Sequence, residues 1–301
     1  MPTPPSRPLR AIPRRDFLGA ALMASALPAL TSRAWSTTLA PAAAPLCARR
    51  PQAPYRVWFQ PLLFERNIDL YAHMTIDASG WLDPRLSEAV GRTTLDWAYG
   101  MNHPEAHGPE DWERPCSEQG RSFPRKKTPA QFISAGLALD EWVPAKKPQN
   151  EAWICEGLRA GRRQNPEVFI AVWSTDPTRG LLDLARDGTV DLIIVEAYTH
   201  CDPQSPPGLV TSWGNAMRRC EAFVKAGLEE KTIFGFGHIN GAAQLKGERL
   251  SGAWLRAKMT ELRQRFPRMP GVAFFQNKSP DTPELRELIR ACDELSAEFW
   301  P

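Results

Sequence analysis

The chain has 301 residues, 43% of them apolar, and carries 37 basic against 34 acidic side chains. The first 34 residues hold five of the arginines and one of the aspartates, so the remainder carries 32 basic and 33 acidic residues. This near-neutral remainder does not predict a nucleic-acid partner or an anionic membrane surface. Its length is typical of one domain with a single large core.

The first 34 residues have the organisation of an export signal. Arg14-Arg15 is followed by Phe17-Leu18 and then by a small, apolar run at 19–30. This pattern resembles the twin-arginine signal, and the run is too short for a membrane span, which needs roughly 20 residues. We therefore expect the twin-arginine translocase to export the folded chain to the periplasm or out of the cell. No membrane contact is expected once the leader is removed.

The leader predicts a division of the chain into three parts. Ser32-Arg33-Ala34 offers a small-x-small cleavage site, so residues 1–34 are expected to be removed. Residues 35–54 are rich in proline and alanine and are interpreted as a spacer. The folded domain is expected at 55–301.

Six cysteines are distributed along the chain without a C-x-x-C pair, and no histidine lies at ligand spacing. This argues against a zinc or iron–sulfur site, and no metal or other cofactor is expected. A chain that folds in the reducing cytoplasm could close a disulfide only after export. One or two surface bridges are allowed, and their pairing cannot be read from the sequence.

Short apolar runs alternate with helical stretches from residue 55 onward. From the third run on, the spacing is roughly 20 to 40 residues, typical of β-α units, and predicts a parallel sheet. Strands are expected at Tyr55–Pro61, Leu70–Asp77, Thr94–Gly100, Phe132–Trp142, Val168–Ser174, Val190–Tyr198, Thr232–His238 and Gly271–Gln276. Helices are expected at Asn150–Gln164, Leu181–Arg186, Gly208–Ala226, Gly252–Arg265 and Pro283–Glu298.

Two architectures produce this alternation, an open doubly wound sheet and a closed (β/α)8 TIM barrel. No Gly-x-Gly-x-x-Gly follows the first strand, and polar residues recur where the strands end, so we predict a single-domain barrel. Its second strand, Leu70–Asp77, has the least regular pattern. Asn102–Pro129 is expected to be a long loop over the barrel mouth, and the last helix is expected to pack beside the first strand.

Four apolar strands end in polar residues that would meet at the carboxyl-terminal mouth of such a barrel. They end in Asp140-Glu141-Trp142, in Trp173 followed by Asp176, in Glu196-Ala197-Tyr198, and in His238. A carboxylate buried at a strand end is costly unless it is paired, and this cost recurs on strands 4 and 6. We therefore interpret these ends as one candidate site.

Strand geometry limits which carboxylates can share a pocket. Glu196 and Tyr198 lie two residues apart and share a face, whereas Asp140 and Glu141 cannot both point inward unless the strand bulges. If Glu141 faces inward, it forms with Glu196 the carboxylate pair of glycoside hydrolysis, one as acid and one as nucleophile or base. If Asp140 faces inward, it orients a neighbour or acts as the acid itself. Alternatively, Asp140 caps a turn or pairs with Lys146.

The remaining candidates would bind substrate. Trp142 and Trp173 would stack on sugar rings, although core packing is an equally ordinary role for tryptophan. Asp176 would lie beside them, while His238 and Gln276 would bind substrate hydroxyls or serve as satisfied polar groups at the rim.

The acidic end of strand 4, Asp140-Glu141, and the strand-6 tyrosine, Tyr198, resemble glycoside hydrolases of the chitinase-like type. The resemblance implies a (β/α)8 barrel, a carbohydrate-active class and an oligosaccharide or polysaccharide substrate. This sequence lacks the family's Asp-x-x-Asp-x-Asp-x-Glu run, and Gln276-Asn277 replaces its strand-8 tryptophan. The resemblance therefore does not extend to a chitin substrate or to substrate-assisted N-acetyl chemistry.

Two other functions fit the same sequence. A non-catalytic carbohydrate-binding barrel would keep the aromatic mouth without a working acid and base. A different hydrolase or lyase would use His238 with an acidic partner, and a metal at the site would favour it. No Gly-x-Ser-x-Gly nucleophile elbow is present, which argues against an α/β-hydrolase esterase.

Overall fold

A computed structural model describes residues 50–59, 67–78, 92–101, 105–118, 134–142, 147–199, 211–237, 239, 244–245, 248–276 and 281–301. The chain divides into two compact units, Met1–Ala43 and Ala44–Pro301. The first unit, with the predicted leader, lies outside the described residues, so the leader and spacer boundaries stay predictions. Within the described residues, no helix has the length and apolar character needed to cross a membrane.

Eight parallel strands form a closed barrel, which confirms the predicted fold class. They pair in the order β1-β8-β7-β6-β5-β4-β3-β2. In chain order, the strands are β1 Tyr55–Phe59, β2 Ile76–Asp77, β3 Thr93–Tyr99, β4 Gly136–Trp142, β5 Phe169–Ser174, β6 Leu192–Ala197, β7 Thr232–Phe236 and β8 Gly271–Phe275. A short antiparallel hairpin, Gln244–Leu245 with Glu248–Arg249, follows β7.

Six α-helices lie in the described part of the chain. They are α1 Glu110–Glu118, α2 Pro148–Gln164, α3 Arg179–Arg186, α4 Trp213–Lys225, α5 Gly252–Arg265 and α6 Pro283–Phe299. The last four begin at a serine or threonine whose hydroxyl accepts a backbone N–H of the first turn, namely at Thr178, Ser212, Ser251 and Thr282. These caps satisfy N–H groups that have no partner within the helix, and so fix where each helix starts.

The prediction of a long loop over the mouth at Asn102–Pro129 was wrong in its described part. Glu110–Glu118 is helix α1, and it packs on α2. Gly157 and Gly161, one helical turn apart on α2, allow this close approach. A Cβ at Gly157 would overlap the Pro109 carbonyl oxygen just before α1, and one at Gly161 would overlap Cys116. Pro115 and four acidic residues within the segment hid the helix from pattern analysis.

The second strand is shorter than predicted. Only Ile76–Asp77 is strand, and Ile68–Tyr71 forms a 3-10 helix instead. The last helix contacts both β1 and β8, as expected, and so covers the point where the barrel closes.

Ring contacts identify the residues that face the barrel interior. Strands β1 and β5 lie on opposite sides of the barrel, so their side chains can meet only through its centre. Tyr55 of β1 lies 5.8 Å from Phe169 of β5, and Phe59 lies 5.5 Å from Trp173, measured between ring centroids. Residues paired in register on neighbouring parallel strands share a face. Starting from these rings, the register of each strand pair therefore identifies the side chains that face the barrel interior.

The cysteines do not form bridges in the described part of the chain. Cys116, Cys155, Cys220 and Cys292 are buried free thiols. Burial raises the pKa of the Cys155 thiol to about 11 and that of Cys116 to about 12, so both are unreactive near neutral pH. Cys47 and Cys201 lie outside the described residues.

Candidate active site at the barrel mouth

Strand β6 places Glu196 inside the barrel. Trp173 pairs with Ile194, and Glu196 pairs with Gly235 of β7 two residues further on, so Glu196 faces the interior as Trp173 does. Its side chain is only 8% exposed. The backbone carbonyl of Glu196 accepts a hydrogen bond of 2.8 Å from the Arg219 guanidinium on α4, which fixes the end of β6 from the outside.

Strand β4 delivers two consecutive acidic residues to the same end of the barrel. Asp140 pairs with Tyr99 of β3 and shares a face with Ala138, which pairs with the interior residue Ala171. The pairing with β5 then slips between Leu139 and Trp142, and Glu141, one of the two residues within the slip, has a positive φ of 57°. This is the β-bulge that both side chains need in order to reach the mouth.

Tyr198 interacts with the acidic residues of both β4 and β6. Its phenol is hydrogen-bonded to the Glu196 carboxylate. Burial raises the pKa of Tyr198 well above 10, and the negative charges of Glu196, Asp140 and Glu141 raise it further. The Tyr198 phenol is therefore neutral and lies within the electrostatic influence of three carboxylates. The structure therefore brings together the three residues predicted to be catalytic and the predicted tyrosine.

The floor beneath these carboxylates is aromatic. Phe59 of β1 lies between Trp173 at 5.5 Å and Phe275 of β8 at 5.3 Å, measured between ring centroids. Trp173 is 2% exposed, and its indole Nε1 has no hydrogen-bond partner within the described residues. Sequence reasoning named Trp173 but missed Phe59 and Phe275. Their positions on the inward face of β1 and β8 were the available signal.

Two predicted substrate-binding residues have other partners in the structure. The Trp142 indole is fully buried and donates a hydrogen bond of 3.0 Å to Thr178 Oγ1, the N-cap of α3. Gln276 is also fully buried, and its Oε1 accepts the Tyr71 hydroxyl at 2.6 Å. Both side chains therefore contribute to the barrel wall.

The other two predicted substrate-binding residues lie at the periphery or cannot be placed. Asp176 is exposed in the turn after β5, where its carboxylate accepts the Thr175 hydroxyl at 2.8 Å. His238 and Lys146 lie outside the described residues, so their predicted roles are not tested.

The described residues contain no group of three or more His, Cys, Asp or Glu side chains arranged to hold a metal ion. The groups that the structure places at the mouth are carboxylates, one phenol and aromatic rings. Such a set can transfer protons and stabilise a positively charged transition state.

Comparison with known proteins shows the fold. No protein-family model and no curated protein matches the chain. A chitinase from Bacteroides thetaiotaomicron is 10% identical, with a TM-score of 0.55 over 82% of this chain and 97% of the chitinase. Active domain 2 of a Pyrococcus furiosus chitinase is 12% identical, with a TM-score of 0.53 over 84% of this chain and 97% of that one.

A third structural neighbour is a fungal endo-β-N-acetylglucosaminidase of glycosyl hydrolase family 18. It is 12% identical, with a TM-score of 0.51 over 81% of this chain and 99% of that chain. At such low identity, the likeness concerns the fold alone. The barrel is thus one that glycoside hydrolases of this type also have.

Proposed function

We propose that this barrel is a glycoside hydrolase that cleaves an oligosaccharide or polysaccharide with a carboxylate of β6 and a carboxylate of β4. The observation that carries the proposal is the Tyr198 phenol, which is bonded to Glu196 and lies within the field of Asp140 and Glu141. Glycoside hydrolysis needs two carboxyl groups that flank one bond, and they often lie on different strands. The barrel shared with chitinases supports the same class.

The surroundings of the carboxylates suggest their roles. A hydrogen bond donated to a carboxylate favours its charged form, and Tyr198 donates to Glu196. We therefore assign Glu196 as the ionised group that acts as nucleophile or base. The acid would then be a carboxyl of the β4 pair that takes up a proton, which neighbouring negative charges favour. Asp140 or Glu141 would then donate that proton to the leaving oxygen.

The structural neighbours suggest which ligands to test, because Trp173 and Phe59 are only 2% and 7% exposed and leave little ring surface for a sugar. The Pyrococcus furiosus chitinase domain has been solved with chito-oligosaccharides bound. Chito-oligosaccharides are therefore the first substrates to test, followed by other β-linked and α-linked glycans.

The test is a substrate screen with matched variants. The wild-type protein, Glu141→Gln and Asp140→Asn would be incubated with each glycan, and new reducing ends would be measured. We expect release by the wild type and a loss of about 10² or more in at least one variant. Glu156→Gln, at an exposed position of α2, serves as the control that keeps wild-type activity.

The same screen separates the alternatives. Saturable binding of a glycan without any bond cleavage would support the non-catalytic carbohydrate-binding barrel. Cleavage that survives both β4 substitutions but is lost in His238→Ala would support the hydrolase or lyase that uses His238.

We also propose that the folded chain is exported by the twin-arginine translocase to the periplasm or beyond. The Arg14-Arg15 pair and the apolar run after it carry this proposal. The four buried free thiols fit it, because a barrel that folds in the reducing cytoplasm encloses its cysteines before it meets an oxidising compartment.

A further inference from the structure

The backbone at Glu141 is in an unfavourable conformation. Within the described residues, Glu141 is the one residue other than glycine with a positive φ, at 57°. A side chain on Cβ disfavours this left-handed region, so the surrounding structure must hold the residue there. Strain of this kind concentrates where function requires a particular side-chain direction.

The bulge that contains Glu141 is held from β3 by Gly100. The Gly100 N–H donates a hydrogen bond of 2.8 Å to the Asp140 carbonyl oxygen. The same carbonyl occupies the space that a side chain at residue 100 would fill, since a Cβ added to Gly100 would overlap the Asp140 oxygen and lie 3.3 Å from the Glu141 carbonyl carbon. Only a glycine allows this approach without moving the bulge.

The bulge is held from β5 as well. After the slip, the backbone of Trp142 pairs with Ser174. The Ser174 hydroxyl lies 2.9 Å from the Asp176 carbonyl oxygen and 3.3 Å from that of Trp142. The Trp142 indole is tied to Thr178 at the start of α3. Glu141 is therefore enclosed between two fixed neighbours, Asp140 and Trp142, which leaves its φ little freedom.

We propose that Gly100 is a positioning residue, which holds Glu141 in its left-handed conformation and so turns two consecutive carboxylates of β4 into the barrel mouth. A regular strand would point Asp140 inward and Glu141 outward. The inference deepens the proposed function, on which it rests, because it explains how the β4 acid comes to face Glu196 and Tyr198. Gly100 itself has no contact with substrate in this account.

The first test measures the strain at Glu141 and needs no substrate. Glycine tolerates a positive φ and alanine does not, so Glu141→Gly is expected to melt at a higher temperature than Glu141→Ala. The matched pair is Glu156→Gly and Glu156→Ala in the exposed face of α2, where alanine is expected to melt higher. Replacing glycine by alanine changes the unfolded chain in the same way in both pairs. If the order of the melting temperatures is opposite in the two pairs, the difference therefore comes from the folded backbone at Glu141.

The second test moves the bulge through Gly100→Ala. The chain has four tyrosines, so a sample with ¹³C-labelled tyrosine gives few NMR signals, and Tyr198→Phe assigns the one of interest. We expect the Tyr198 signal to shift in Gly100→Ala, while Tyr55 and Tyr71 serve as references. Gly271→Ala is the control, because its Cβ would also overlap a backbone oxygen, that of Tyr55, but at the opposite end of the barrel.

On a substrate that the wild type cleaves, Gly100→Ala should lower kcat at least tenfold with KM within about threefold, because Gly100 itself does not touch the substrate. Gly271→Ala should keep the wild-type kcat at a temperature where it is folded. The inference is overturned if Glu141→Gly melts no higher than Glu141→Ala, or if a folded Gly100→Ala leaves the Tyr198 signal in place. If Gly100→Ala does not fold, the melting temperatures of Glu141→Gly and Glu141→Ala decide whether Glu141 is held in a strained conformation. Should both structural tests succeed while no glycan is cleaved, the proposed function fails and the positioning role of Gly100 stands.

Discussion

The ring of Tyr198 occupies the space that a side chain at Gly237 would need. A Cβ added to Gly237 would overlap the Cδ1 edge of the phenol ring. The ring also stacks on Phe275, with centroids 5.8 Å apart and planes inclined by 30°. These two contacts restrict the position of the phenol, which is hydrogen-bonded to Glu196. The absence of a side chain at the end of β7 therefore sets the geometry of the carboxylate on β6.

Gly237→Ala is expected to displace the phenol and weaken its bond to Glu196. An extra methyl group in a packed interior costs roughly 1–3 kcal/mol, so the free energy of unfolding should fall by that amount in urea titration. Turnover should fall as well. Gly136→Ala is the matched control at the amino end of the barrel, where a Cβ would overlap the Phe169 carbonyl oxygen instead of Tyr198. Equal losses of turnover in both variants would argue against a role for the Tyr198 position.

Tyr198 is expected to stay neutral throughout the working range of the protein. Burial raises its pKa well above 10, and burial also raises the pKa of Tyr71 and Tyr55. The folded state thus keeps these protons at a pH where the unfolded chain loses them, so the free energy of unfolding should fall as pH rises above about 10. Wild type and Tyr198→Phe should give the same tyrosinate absorbance near pH 10. A difference of about half a tyrosinate between them, as an exposed tyrosine would give at that pH, would contradict the burial of the phenol.

Asp293 on α6 should make the protein less stable as pH rises towards neutrality. Burial raises the pKa of Asp293 to about 6 from 3.8, although its Oδ2 accepts the His73 backbone N–H at 2.8 Å. The folded state therefore binds this proton more tightly than the unfolded chain, and the stabilisation is lost as pH rises through about 4 to 6.

Asp293→Asn removes this ionisation and can keep the bond to His73. The variant should be more stable than the wild type above about pH 6, by up to roughly 3 kcal/mol, and close to it near pH 4. Chemical denaturation at both pH values measures the difference. Asp281→Asn, at an exposed position before α6, is the control and should change stability little at either pH. A variant that is less stable than the wild type at pH 7.5 would show that the charge of Asp293 is favourable in place.

Export should depend on the paired arginines. Replacement of both Arg14 and Arg15 by lysine is expected to leave the precursor in the cytoplasm, because the twin-arginine pathway reads the pair itself and not only its charge. Cell fractionation with a tagged chain measures this, and Arg7→Lys with Arg10→Lys is the control with the same number of changes. Normal delivery of the first variant would contradict the twin-arginine assignment.

The barrel could be predicted because its strands repeat. Each buried parallel strand is a short apolar run such as Leu192–Ala197, and the regular spacing implies a helix between neighbours. Helix α1 was not predicted, because it packs against Gly157 and Gly161 of α2 and no local pattern reveals this contact. Tertiary packing rather than propensity determines that segment.

Part of the candidate site could also be predicted, because side chains two residues apart along a strand share a face. The period of two along β6 placed Glu196 and Tyr198 on one face, and the structure has them bonded. The position of Asp140 and Glu141 depends on a bulge that packs against Gly100, the residue after β3, and no local pattern on β4 reveals this contact. Trp142 and Gln276 followed the same strand-end pattern, but their partners Thr178 and Tyr71 come from elements distant in sequence.

The central claim, that Glu196 acts with a carboxylate of β4 to cleave a glycosidic bond, is tested most directly by Glu196→Gln. On a glycan that the wild type cleaves, kcat should fall by at least about 10²-fold. Calorimetry should find the same glycan affinity within about threefold, and the melting temperature should show that the barrel is intact. Unchanged turnover in a folded Glu196→Gln would remove this carboxylate from the mechanism and contradict the account.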